Sequence, residues 1–131
     1  MHTIIIDTNM FLIPGTMNVD IFSEIQRICD FAYTLCVLEK TITELEGVMH
    51  HAPTGAEKKA AKLGLAIIQR HIALSSLHLL RSDHNVDDAL VEFVETDHAI
   101  VATLDGELKK RVIAAGGRVI TLRQKKYLVI E

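Results

Sequence analysis

The chain has 131 residues, 49% of them apolar and 24% charged, which suits one globular core; two prolines and seven glycines leave little room for disordered linkers. A net charge of −3 argues, taken alone, against a nucleic-acid partner. No apolar run approaches the ~18 residues of a membrane span, and the start "MHTIII" has neither the basic region nor the length of a signal peptide. The expectation is a single domain over residues 1–131, cytoplasmic and without a membrane partner. Cys29 and Cys36 lack CxxC spacing and a second pair, so they read as buried, reduced thiols and not as a zinc site. His50 and His51 are adjacent, and adjacent side chains diverge on a helix, which favours a solvated surface over a chelate.

In chain order, Thr3–Ile6 is a short β-branched run without polar alternation, the pattern of a buried strand. Pro14-Gly15 marks a break, and Asn18 is positioned to cap a helix with Ile21, Phe22, Ile25 and Ile28 on one face. Tyr33–Leu38 is the second strand. A helix from about Glu39 to His50 should follow, with Ile42, Leu45, Val48 and Met49 inward. Thr54 caps a long helix rich in Ala and Lys. Leu77–Arg81 is a weaker strand, Asn85 begins another helix, and Ala99–Leu104 is a strong strand. Asp105 opens a helix that Gly116-Gly117 end, and Arg118–Leu122 is the last strand. Strands alternating with helices imply an α/β fold: a three-layer α/β/α sandwich around a central, mainly parallel sheet of four or five strands.

In such a sheet the carboxyl ends of the strands share one edge, where ligands bind at a topological switch point. Asp7 ends the first strand and Asp105 follows the Ala99–Leu104 strand, so the two share a crevice if those strands are neighbours. Asp87 and Asp88 start the helix that leads into the Asp105 strand, and reach the crevice only if that helix enters from the loop edge. Glu44 lies one turn into the helix after the second strand. Each acid has a bland explanation as a cap or a solvated position. Capping does not require several acids to converge, however, and converging carboxylates repel unless a cation lies among them. An oxygen-only set selects a hard ion, Mg²⁺ or Mn²⁺. With no Ser-His-Asp set, no activated cysteine and no Gly-rich phosphate loop, hydrolysis by metal-activated water fits best.

The succession "IIIDTN", "ITELE", "VDDAL" and "VATLDGELKKR" resembles the PIN-domain ribonucleases, in order over nearly the whole chain. The ending "TLDGELKKRVIAAGGRVITLRQKKY" is similar to the branch that processes ribosomal RNA in archaea and in the eukaryotic small-subunit processome. The toxin branch of the family more often has an aromatic residue where this chain has Leu108. The resemblance implies a catalytic, metal-holding set of Asp7, Glu44, Asp87 and Asp105, with Asp88 an auxiliary ligand or a cap. It selects Glu44 over Glu46, a choice helical periodicity leaves open. It also implies that Asn9 and Thr103 orient the carboxylates by hydrogen bonds.

The implied activity is a Mg²⁺- or Mn²⁺-dependent endoribonuclease, with one or two ions, cutting single-stranded RNA such as a ribosomal precursor. Alternatives are a toxin-type ribonuclease held by an antitoxin, and a catalytically silent RNA-binding scaffold. PIN relatives commonly dimerise, so a homodimer or a protein partner belongs to the expectation. Setting the four proposed ligands aside from the 17 acidic residues leaves 13 against 14 basic ones. Seven of those basic residues fall between 105 and 131: Lys109, Lys110, Arg111, Arg118, Arg123, Lys125 and Lys126. They read as a solvated helix face with a charged tail, or, beside a phosphate-processing site, as contacts to the RNA backbone, with Lys109, Lys110, Arg111, Arg123, Lys125 and Lys126 the candidates.

Overall fold

In the computed structural model, which describes residues 1–131, strand β1 (His2–Ile6) pairs in parallel with β2 (Tyr33–Leu38) on one side. On its other side it pairs in parallel with β4 (Ile100–Ala102). Strand β3 (His78–Leu80) extends the sheet beyond β2, and β5 (Val119–Arg123) extends it beyond β4, both in parallel. A sixth strand, β6 (Tyr127–Ile130), closes the edge antiparallel to β5, giving the order β3-β2-β1-β4-β5-β6. The chain thus departs from β1 in both directions, and the β1/β4 junction is the switch point of the sheet.

Side-chain alternation along the strands builds two cores. Ile4 and Ile6 join Leu35 and Val37 on one face, beneath Phe11, Ile25 and Leu45. Ile5 and Val101 join Cys36 on the other, beneath Leu90 and Val112. The first face is covered by α1 (Ile13–Met17), α2 (Ile21–Ile28), α3 (Glu39–His51) and α4 (Gly55–Ala73). The second is covered by α5 (Val86–Asp97) and α6 (Gly106–Ala114). This is the expected three-layer sandwich, because strands buried on both sides need an apolar cover on both sides.

Several local expectations are corrected. Of the two thiols expected to be buried, Cys36 is and Cys29 is only half-buried. The sheet has six strands, one of them antiparallel, where four or five were expected. The charged segment after Leu122 turns back as a hairpin, with Gln124 and Lys125 at φ 54° and 57°, the mirror-image turn that matches strand twist. No Gly or Asn announces that turn. Pro14 lies in the first turn of α1, where its missing N–H costs nothing, so Pro14-Gly15 does not break the chain. Asn18 ends α1 in the left-handed region and does not cap the next helix. Asp20 does, its Oδ1 accepting from the N–H groups of Phe22 (3.1 Å) and Ser23 (3.2 Å). On α3 the buried residues are Thr41 and Leu45, with Ile42, Val48 and Met49 only half-buried.

The segment leading out of β1 is a 3-10 turn, Thr8–Leu12, pressed close against α4. A Cβ on Gly64 would lie 2.6 Å from the carbonyl oxygen of Phe11, so only glycine permits that approach. The contact holds the turn bearing Thr8 and Asn9 against a rigid helix.

Candidate functional site

The pairing of Ile6 with Ala102 sets the end of β1 beside the end of β4. Asp7 follows Ile6, and its backbone N–H donates to the carbonyl of Ala102 at 2.9 Å, continuing the ladder. The residue is only 5% exposed. Oδ2 accepts from the hydroxyl of fully buried Thr103 (2.7 Å), and Oδ1 from the Thr8 N–H (2.8 Å). Thr103 Oγ1 in turn accepts from the Asp105 N–H (3.1 Å), with the Asn9 amide at 3.5 Å. Asn9 Oδ1 accepts from the Leu104 N–H (3.1 Å). "DTN" and "TLD" are thereby stitched together across the switch point.

Asp105 caps α6, its Oδ1 accepting from the N–H groups of Glu107 (2.9 Å) and Leu108 (3.2 Å). Its charge also reaches Asp87, so capping does not take it away from the other acids. Glu44, exposed on α3, accepts from the Thr8 hydroxyl at 2.5 Å. Thr8 was not among the residues singled out from sequence, although it is the middle of "DTN". Asp87 and Asp88 sit in the first turn of α5, which Asn85 caps by accepting from the Asp88 N–H (2.9 Å). Because β3 runs parallel to β2, α5 begins at the carboxyl edge, and the start of this helix comes to the crevice directly. No unusual entry of the helix is needed.

A crevice of about 240 Å³ is lined by Glu44, Asn85, Val86, Asp87, Asp88 and Arg111. Burial pushes the Asp7 carboxyl above its ordinary range, against the hydrogen bonds from Thr103 and Thr8; the charges of Asp87 and Glu44 push it further up. Asp87 is also raised, by burial and then by Asp105, with Arg111 opposing and Asp88 adding to the rise. Asp7 thus feels the charges of Asp87 and Glu44, and Asp87 feels that of Asp105. Asp88 behaves differently: the hydrogen bond from Arg111 (2.8 Å) holds it below the usual carboxylate range.

No three His, Cys, Asp or Glu side chains stand in a ready metal-gripping arrangement. The chemistry of the donors nevertheless fits a hard divalent cation, since the four converging groups are all carboxylates and a cation relieves their repulsion. His50 and His51, with rings 6.3 Å apart and tilted by 60°, belong to no such cluster.

The basic residues divide by position. The β5–β6 turn carries Arg123, Lys125 and Lys126 at the carboxyl edge of the sheet, the edge of the acids, whereas Arg118 precedes β5 at the opposite edge. Arg123 pairs with Glu131 (3.2 Å) and Lys110 with Glu107 (3.5 Å); Lys109, on the same helix as Lys110, is partly buried. No helix is long and apolar enough to cross a membrane.

The sequence and the fold have counterparts among known proteins. The chain is similar to "Ribonuclease VapC4" of Methanocaldococcus jannaschii, 29% identical over 132 residues, covering 99% of this chain and 97% of the relative. Its fold is similar to the solved structure of the PIN domain endonuclease Utp24, with a TM-score of 0.77 at 21% identity, over 98% of this chain and 90% of that one. It is also similar to a domain of a functionally unknown protein from M. jannaschii, with a TM-score of 0.63 at 14% identity, over 94% and 92% of the two chains. The profile of the PIN like domain matches residues 4–125, and the chain therefore belongs to the PIN-like domain family.

Proposed function

We propose that this protein is a Mg²⁺- or Mn²⁺-dependent endoribonuclease that hydrolyses phosphodiester bonds of single-stranded RNA. The observation that carries this reading is the buried carboxylate of Asp7 at the β1/β4 switch point, raised by burial and by the charges of Asp87 and Glu44. The ribonuclease relative, aligned over almost the full length of both chains, supports RNA as the substrate class.

In this reading Asp7, Glu44, Asp87 and Asp105 hold the metal, and Thr103, Thr8 and Asn9 keep their carboxylates in place. A bound ion of this kind supplies Lewis-acid polarisation of a phosphoryl oxygen and a more acidic water. The chain itself supplies the dry, fixed anchor: Asp7 gives up hydration on folding, and its two oxygens are oriented by the Thr8 N–H and the Thr103 hydroxyl. Arg123, Lys125 and Lys126, on the same edge, draw the RNA backbone toward the acids. A ribosomal precursor is the proposed substrate on the strength of "TLDGELKKR" and the basic hairpin that follows it.

The deciding experiment sequences the RNA ends produced with Mn²⁺ by the wild type and by Asp7→Asn. Discrete ends from the wild type, lost in the variant by about 10³-fold or more, support the reading; equal cleavage by both removes the metal mechanism. Ends mapping to ribosomal precursors support the substrate assignment. Growth arrest on expression, relieved by a co-expressed neighbouring protein, would instead favour the toxin-type alternative.

A further inference from the structure

Asp88 and Arg111 form an ion pair at the rim of the acidic crevice, Nη2 donating to Oδ1 at 2.8 Å. Building on the ribonuclease reading above, we propose that Asp88 is a tether and not a metal ligand. It fixes Arg111 as the guanidinium that grips the phosphodiester entering the crevice.

Tertiary packing makes this pair. Helices α5 and α6 meet through the buried side chains Ala89, Leu90, Leu108 and Val112 on one face of the sheet. Asp88 immediately precedes Ala89 and Arg111 immediately precedes Val112, so the helix contact ends in this ion pair. Both side chains remain about half exposed, 50% for Asp88 and 46% for Arg111. The guanidinium is therefore held but not enclosed.

The pair is also monodentate. Arg111 uses one nitrogen, Nη2, leaving Nε and Nη1 to donate elsewhere. A planar guanidinium with free N–H groups matches two phosphate oxygens, and one already fixed loses less rotamer freedom on binding. The crevice needs such a group, because Glu44 and Asp87 line the same walls and would repel an incoming phosphodiester. Asp87, on the same helical turn, is in no ion pair and lines the crevice together with Glu44. The two adjacent aspartates thus differ: Asp88 is bonded to the arginine, and Asp87 is left unpaired in the crevice.

The test compares Asp87→Asn, Asp88→Asn, Arg111→Ala, Arg111→Lys and the double variant Asp88→Asn/Arg111→Ala. Mn²⁺ affinity is read without RNA, by the electron paramagnetic resonance of free Mn²⁺. Cleavage of a short single-stranded RNA is read as kcat/KM at saturating Mn²⁺. Asp88→Asn should keep Mn²⁺ affinity within about twofold, whereas Asp87→Asn should weaken it at least tenfold or so. Arg111→Ala should lower kcat/KM by about 10²-fold. Arg111→Lys, which keeps the charge and loses the planar fork, should recover only part of that loss. The double variant should be no worse than Arg111→Ala alone, since the tether acts through the arginine.

Equal loss of Mn²⁺ affinity in Asp88→Asn and Asp87→Asn would overturn the tether. Wild-type cleavage by Arg111→Ala, or independent additive losses in the double variant, would overturn the assignment of the arginine while leaving the ribonuclease reading intact. A wild type that binds Mn²⁺ but cuts no RNA would overturn both.

Discussion

Thr103→Val removes one hydroxyl from the centre of the site and keeps the side-chain volume. Thr103 is fully buried; its hydroxyl donates to Asp7 at 2.7 Å and accepts from the Asp105 N–H at 3.1 Å. A hydrogen bond to a charged acceptor contributes about 1.5–3 kcal/mol, and an orphaned buried N–H costs about 1–3 kcal/mol. With partial relaxation the variant should lose about 2–4 kcal/mol near neutral pH, a fall in Tm of roughly 6–15 °C for a chain of this size. The loss should depend on pH in a stated direction. The Thr103 hydrogen bond lowers the Asp7 carboxyl, so its removal raises a group that burial already holds above its unfolded value. A carboxyl raised on folding contributes stability that is present below its unfolded pKa and is lost as pH rises through its folded pKa. The variant loses more over that climb than the wild type does. The gap between the two should therefore be widest near neutral pH and narrow on acidification as Asp7 takes up its proton. Urea unfolding of both proteins in EDTA, at about pH 7 and about pH 4, measures this. A gap that is the same at both pH values, or below about 0.5 kcal/mol throughout, would refute the charge-assisted role of Thr103.

Two further outcomes are expected. Gly64→Ala should destabilise the fold by about 1–3 kcal/mol, because the new Cβ would lie 2.6 Å from the Phe11 carbonyl oxygen; chemical unfolding checks it, and an unchanged midpoint would show that α4 does not clamp the turn after β1. Replacing Lys125 and Lys126 together with Glu should weaken RNA binding and flatten its dependence on salt by about one to two contacts' worth of slope. Fluorescence titration of single-stranded RNA across ionic strength measures both, and an unchanged slope would take the hairpin turn out of the RNA path.

The alternation of elements and the positions of the strongest strands were legible from local pattern alone. Ile4–Ile6, Leu35–Leu38 and Ile100–Ala102 are apolar on both faces, and only a sheet covered on both sides satisfies such runs. The identity of the candidate acids also came from the chain, through four short motifs in order. Their convergence could not, because it depends on which strands are neighbours. The β1–β4 pairing, with the Thr103 bridge to Asp7, exists only in the assembled sheet. Local reading failed where a rare backbone state or a distant partner decided the outcome. The β5–β6 turn uses two non-glycine residues at positive φ, so the charged segment read as a tail when it is the edge of the sheet. Asn18 and Asp20 are both acceptable caps by composition, and the direction in which α1 ended chose between them. Asp87 and Asp88 are chemically identical neighbours in sequence. What separates them is a guanidinium 23 positions further along the chain, brought to one of them by the packing of two helices.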